Sequence, residues 1–158
     1  MADENHSDLL NRLLVHLYRG LLMYAVECWP WSSAAEDEGV EPPEQRAIET
    51  MAARRQQGLA RLVDVLSRRR AAVDFGVYPD NSHLHYVSVD FLIGKLITDQ
   101  ERLIAELEAA KKGLTGDPEA ARTVGDLLDT ELENAAQLRA LKAKSPAGAV
   151  ADTKHNYE

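Results

Sequence analysis

The chain has 158 residues, of which 45% are hydrophobic and 28% charged, and these values suit one globular domain with a substantial core. Its formal net charge of -8 disfavours nucleic acid and anionic membranes as partners. A single cysteine, Cys28, excludes an internal disulfide, and no run approaches the roughly 20 apolar residues that cross a bilayer.

The first predicted element is a helix from about Ser7 to Trp29, preceded by a flexible N-terminus at residues 1–6. Leucines recur along it at helical spacing, and Pro30 ends it because a residue before proline is pushed out of the α region. The N-terminus is polar and acidic, unlike a secretory signal, so a cytoplasmic location is expected.

A second, longer helix is predicted to begin at Pro42-Pro43 and to run for about 30 residues, with Gly76 as its terminator. The segment DFGVYPDNSHLH then reads as a structured connection. The apolar periodicity predicts a third helix from about His85 to Lys112.

A fourth helix is predicted from Pro118 to Lys142, because GLTGDP supplies a glycine cap, an aspartate N-cap and a first-turn proline. Residues 145–158 read as a flexible tail. Strand signals are nearly missing, so the predicted fold is all-α, an antiparallel four-helix bundle at residues 7–144.

Three polar residues fall on the apolar stripes of these helices, namely Arg55, Gln100 and Glu131. A lone buried carboxylate is costly and a guanidinium cannot lose its proton. We therefore hypothesise that Arg55 and Glu131 pair inside the bundle, with Gln100 satisfying the remaining groups. In the alternative, Arg55 extends past the stripe edge to solvent and Glu131 faces a partner chain.

Helices of this length and order, with inward-facing polar residues at their midpoints, resemble the ferritin-like superfamily. Metal-binding members place a glutamate on two helices and a Glu-x-x-His motif on the other two. This chain has Ala52-Ala53-Arg54-Arg55 and Glu131-Leu132-Glu133-Asn134 where those motifs are expected. The resemblance therefore implies a bundle without the usual di-metal ligands, and we predict no metal ligand, catalytic residue or cofactor.

The connection before the third helix offers a candidate pocket at Tyr78, His83, His85 and Asp90. Together with His16, its histidines would allow a mononuclear metal site at the mouth of the bundle, as in DinB-like proteins. Packing and helix capping are the alternative role for this His-x-His pair.

A second stripe on the first helix consists of His16, Gly20, Met23 and Glu27, about 100° from the main apolar face. Small and flexible side chains there allow another helix to approach closely. The stripe is either a homodimer interface or a solvent-facing surface.

Three functions remain open from the sequence. The favoured one is a non-catalytic structural or protein-interaction module, acting as a homodimer or with another protein. The alternatives are a metal-dependent ferritin-like or DinB-like enzyme or metal-binding protein, and a bundle that binds a small molecule.

Overall fold

A computed structural model of the chain describes residues 2–29 and 41–144. These residues form five α-helices and one 3-10 turn, with no strand in the described ranges. The prediction of an all-α chain is confirmed. The helices are α1 (Ala2–Arg19), α2 (Leu21–Glu27), α3 (Pro43–Arg68), α4 (Val89–Gly113) and α5 (Pro118–Lys144). None of them combines the length and the apolar character that membrane crossing requires.

The first predicted helix is divided at Gly20, whose extended backbone (φ -67°, ψ 165°) separates α1 from α2. It also begins earlier than predicted, because residues 2–6, expected to be flexible, belong to α1. His6 Nδ1 lies 3.2 Å from the Asp117 carboxylate at the start of α5, which ties this first turn to the bundle. The predicted flexible tail, residues 145–158, lies outside the described residues.

The second predicted helix, α3, ends at Arg68, eight residues before the expected terminator Gly76. Arg70 adopts the left-handed conformation (φ 54°), its N–H donates to the Ser67 carbonyl, and the Ala71 N–H donates to the Leu66 carbonyl. This is a Schellman motif, with arginine where glycine is usual. Gly76 lies in the connection, where its φ of 65° and its closeness to Val15 both favour glycine.

The helix after the connection, α4, begins at Val89 and not at His85. The Ser88 hydroxyl accepts a hydrogen bond from the Phe91 N–H and caps α4, while Ser82–Leu84 form the 3-10 turn. The start of α5 follows the prediction, since the Asp117 carboxylate accepts from the Ala120 N–H.

The core consists of two hydrophobic clusters that lie one after the other along the helices. One cluster includes Leu14, Leu62, Leu107 and Leu127, and the other includes Leu22, Met51, Leu96 and Leu138. On each of α3, α4 and α5, the positions between the two clusters carry buried polar side chains. A polar layer therefore separates two apolar halves of one core.

Candidate functional site: a buried polar layer

The polar layer contains four buried side chains, Arg55 from α3, Gln100 from α4, and Glu131 and Asn134 from α5. Arg55, Glu131 and Asn134 have no exposed surface, and Gln100 retains 2%. Placing an ion pair at such depth removes both charges from water, so it requires close geometry and additional hydrogen bonds.

Arg55 supplies that geometry by binding Glu131 with two parallel hydrogen bonds. Its Nε donates to Oε1 over 2.8 Å and its Nη2 donates to Oε2 over 2.9 Å. Nη2 also donates to Gln100 Oε1 over 2.9 Å, and Nη1 donates to the Leu17 carbonyl over 3.3 Å. The guanidinium thus binds one residue on each of three helices, Leu17 on α1, Gln100 on α4 and Glu131 on α5.

Gln100 also binds Glu131, through both the carboxylate and the backbone of that residue. Its Nε2 donates to Glu131 Oε2 and, over 2.8 Å, to the Glu131 carbonyl. The Asn134 amide makes longer contacts, from Nδ2 to Glu131 Oε2 at 3.4 Å and to the Met51 carbonyl at 3.5 Å. Asn134 Oδ1 is buried and accepts no hydrogen bond from the described residues.

The break at Gly20 provides the acceptor on α1. In a continuous helix the Leu21 N–H would donate to the Leu17 carbonyl. Here Leu21 donates to Asp99 Oδ2 over 3.2 Å, which leaves the Leu17 carbonyl for Arg55. A Cβ at Gly20 would lie 2.7 Å from the His16 carbonyl oxygen and 3.2 Å from Arg55 Nη1, so only glycine fits this approach without a shift.

A second group of charges lies next to the break, nearer the surface. His16 Nδ1 lies 2.6 Å from Glu106 Oε2, and its Nε2 lies 3.7 Å from Asp99 Oδ1. Asp99, and then Glu106, favour the protonated imidazole and raise the pKa of His16 despite its partial burial. Burial opposes ionisation of Asp99, but His16, the Leu21 N–H and Arg55 outweigh it and lower the pKa of Asp99.

The polar layer does not have the donor set of a di-metal centre. Both oxygens of its one carboxylate already accept from Arg55, and the fixed guanidinium charge would repel a divalent cation in the same space. Across residues 2–29 and 41–144, no group of three or more His, Cys, Asp or Glu side chains is arranged to hold a metal ion.

The residues of the sequence-derived pocket are divided between three places. His85 Nε2 lies 2.6 Å from the Tyr24 hydroxyl, and the Tyr24 ring packs edge-on against Tyr78. The Tyr78 hydroxyl donates to Glu27 over 3.1 Å, and burial together with this carboxylate raises the pKa of Tyr78 to about 12.

The other two members of that pocket lie elsewhere. His83 borders a cavity beside Gly20, whereas Asp90 binds Lys142 of α5 over 2.8 Å. The structure therefore places these four residues at three sites with different neighbours.

The proposed interface stripe is not a continuous exposed surface. Gly20 and Met23 are buried within the chain, and the two ends of the stripe have partners of their own, Glu106 for His16 and Tyr78 for Glu27. The break at Gly20 places His16 on α1 and Met23 and Glu27 on α2, so these residues do not belong to one continuous helix.

Sequence reasoning missed two parts of this region, Asp99 as the acceptor for Leu21 and the Leu17 carbonyl as an acceptor for Arg55. The available signal in the sequence was Gly20, which lies inside an otherwise apolar helical pattern. Because glycine weakens a helix interior, this position could have been predicted to break the helix. From the sequence, Asn134 was considered only as the residue that stands in place of a histidine. It is buried in the polar layer because it lies three residues after Glu131, and residues with this spacing share a helix face.

No protein-family model matches the chain, and neither a curated protein nor a solved structure matches it at a significant level.

Proposed function

We propose that this chain is a ferritin-like, antiparallel four-helix bundle in which an internal ion pair takes the place of the di-metal centre. In this proposal it is a non-catalytic structural or protein-interaction module of the cytoplasm. The single observation that carries the proposal is the fully buried pair between Arg55 and Glu131.

The support is chemical. Ferritin-like metal sites use carboxylates and Glu-x-x-His pairs that face the bundle interior. Here the inward carboxylate is Glu131, the residue three positions later is Asn134, and the facing side chain of α3 is a cation. Arginine stays charged at every accessible pH, so the interior keeps a positive charge where a metal-dependent relative needs a vacant anionic cavity.

An interaction role needs an exposed surface, and the connection between α3 and α4 offers one. Val77 and Tyr86 keep 83% and 87% of their surfaces exposed, which is high for apolar and aromatic side chains. We propose that this connection, in place of the His16 stripe, contacts a second copy of the chain or another protein.

Elemental analysis of protein purified without chelator tests the metal-free core. We expect substoichiometric iron, manganese and zinc, and no heat of binding when Fe²⁺ or Mn²⁺ is titrated into the protein. A stoichiometric metal that is lost in Glu131→Gln and kept in the surface variant Glu133→Gln would overturn the proposal.

Multi-angle light scattering over a range of concentrations tests the contact surface. We expect a dimer that the double variant Val77→Ser/Tyr86→Ser converts to monomer, while Leu132→Ser on α5, where the side chain is 45% exposed, leaves it dimeric. A wild-type protein that stays monomeric at high concentration would exclude the homodimer.

A further inference from the structure

A cavity of about 480 Å³ lies beside the helix break, and the polar layer does not use it. Its walls come from the end of α1, the connection between α3 and α4, and the exposed face of α4. This volume is within the range of pockets that bind small molecules.

The charged side chains around the cavity are mostly cationic. Arg19, Lys95 and Arg102 line it, against the single carboxylate of Asp99. That carboxylate already accepts from the Leu21 N–H and lies 3.7 Å from His16, whose raised pKa favours a further positive charge. The cavity is therefore a locally positive site on a chain whose formal net charge is -8.

These three cations also differ from six of the twelve arginines in the described part of the chain, which have carboxylate partners. Within residues 2–29 and 41–144, none of Arg19, Lys95 and Arg102 forms a salt bridge, whereas Arg54, Arg68, Arg69 and Arg139 all do. Three cations that outnumber the one carboxylate at a concave site, and that form no salt bridge with it, are suited to an anionic ligand.

Arg19 is held in place before any ligand arrives. Its Nε donates to the carbonyls of Phe75 and Gly76, and its guanidinium carbon lies 4.7 Å and 4.8 Å from the ring centres of Tyr18 and Tyr78. An arginine fixed in this way loses little conformational freedom when it binds an anion.

The rest of the lining combines polar side chains, among them Asn81 and Thr98, with an apolar wall that includes Val15, Leu21, Val77, Pro79 and Leu84. A ligand that fills the cavity therefore needs a compact apolar part as well as its charged group. From this arrangement we propose that the cavity binds a small organic anion, a carboxylate or phosphate monoester carrying an apolar body, with Arg19, Lys95 and Arg102 facing the anionic group. This binding activity goes beyond the structural role and does not depend on the ion-paired core.

Isothermal titration calorimetry with phenyl phosphate, benzoate, inorganic phosphate and the neutral benzyl alcohol tests the proposal. We expect phenyl phosphate or benzoate to bind, and inorganic phosphate and benzyl alcohol to bind at least about tenfold more weakly, since each lacks one half of the recognised chemistry. Whichever of phenyl phosphate and benzoate binds more tightly shows whether the cavity prefers a phosphate or a carboxylate group. Lack of binding by both, or equal binding of benzyl alcohol, would overturn the proposal.

Charge-matched variants separate this site from general electrostatic attraction. Lys95→Gln/Arg102→Gln removes two cavity charges, and Lys112→Gln/Arg122→Gln removes two exposed charges that do not line the cavity. We expect the first variant to weaken binding at least about tenfold and the second less than about twofold. The site would be refuted if both double variants weakened binding equally. It would also be refuted if ligand addition changed the amide NMR chemical shifts of residues far from Gly20 and Thr98 instead of those nearby. All four residues are exposed, and circular dichroism checks that both variants fold.

Discussion

The buried pair predicts an unequal response to the removal of its two members. Glu131→Leu leaves a guanidinium without its carboxylate at a site with no exposed surface, and arginine cannot become neutral. We expect this variant to lose about 3–5 kcal/mol of the free energy of unfolding, or to fail to fold. Arg55→Met leaves a carboxyl group that can take up a proton, so its loss at neutral pH is expected at the lower end of that range.

The two variants also differ in their pH dependence. In Arg55→Met, the buried carboxyl group can become neutral by taking up a proton, whereas the guanidinium of Glu131→Leu keeps its charge. Protonation removes the cost of burying a carboxylate without a counter-charge, so the destabilisation caused by Arg55→Met should be smaller at acid pH. The stability difference between Arg55→Met and the wild type should therefore shrink from pH 7 to pH 4, whereas that of Glu131→Leu should not.

Urea unfolding followed by circular dichroism measures both effects and supports a double-mutant cycle. We expect Arg55→Met/Glu131→Leu to be more stable than the sum of the single losses predicts, because it leaves no unpaired charge. The adjacent surface pair, Arg54 and Glu133, is a matched control, and its single variants should each cost less than about 1 kcal/mol. Additive losses at Arg55 and Glu131, or losses as small as those of the control pair, would refute the reasoning.

Three further predictions concern the helix ends and the break. Gly20→Ala should destabilise the fold by about 1–3 kcal/mol in urea unfolding, because the added methyl group would lie 2.7 Å from the His16 carbonyl oxygen; an unchanged midpoint would contradict this. Arg70→Gly should stabilise the chain by about 0.5–1 kcal/mol in thermal unfolding, because the left-handed position no longer carries a side chain; a lower melting temperature would contradict the assignment of this cap. The bidentate Arg69 guanidinium lowers the pKa of Asp117 from 3.8 to about 2, so the stability that this ion pair contributes is present above pH 4 and is lost as the pH falls towards 2. Asp117→Asn should therefore reduce the fall in the free energy of unfolding between pH 4 and pH 2, measured by urea unfolding at each pH. An unchanged fall would count against a stabilising ion pair between Arg69 and Asp117.

The sequence by itself determined the helical content and most of the helix positions, because apolar periodicity, proline and N-cap residues act over one or two turns. For example, Pro118 and its neighbours located the start of α5. The same periodicity placed Arg55, Gln100 and Glu131 on inward-facing stripes, because a position on a helix face depends only on residue spacing.

The tertiary structure decided the contacts between helices and the places where the helices break. A Schellman cap at Arg70 ended α3 before Gly76, and Gly20 broke the first helix because Asp99 and Arg55 satisfied the two backbone groups exposed there. No local pattern contains these partners, since Asp99 and Leu21 are 78 residues apart in the chain. The cavity beside Gly20 has the same origin, because its walls come from three separate segments that only the packing of the bundle brings together.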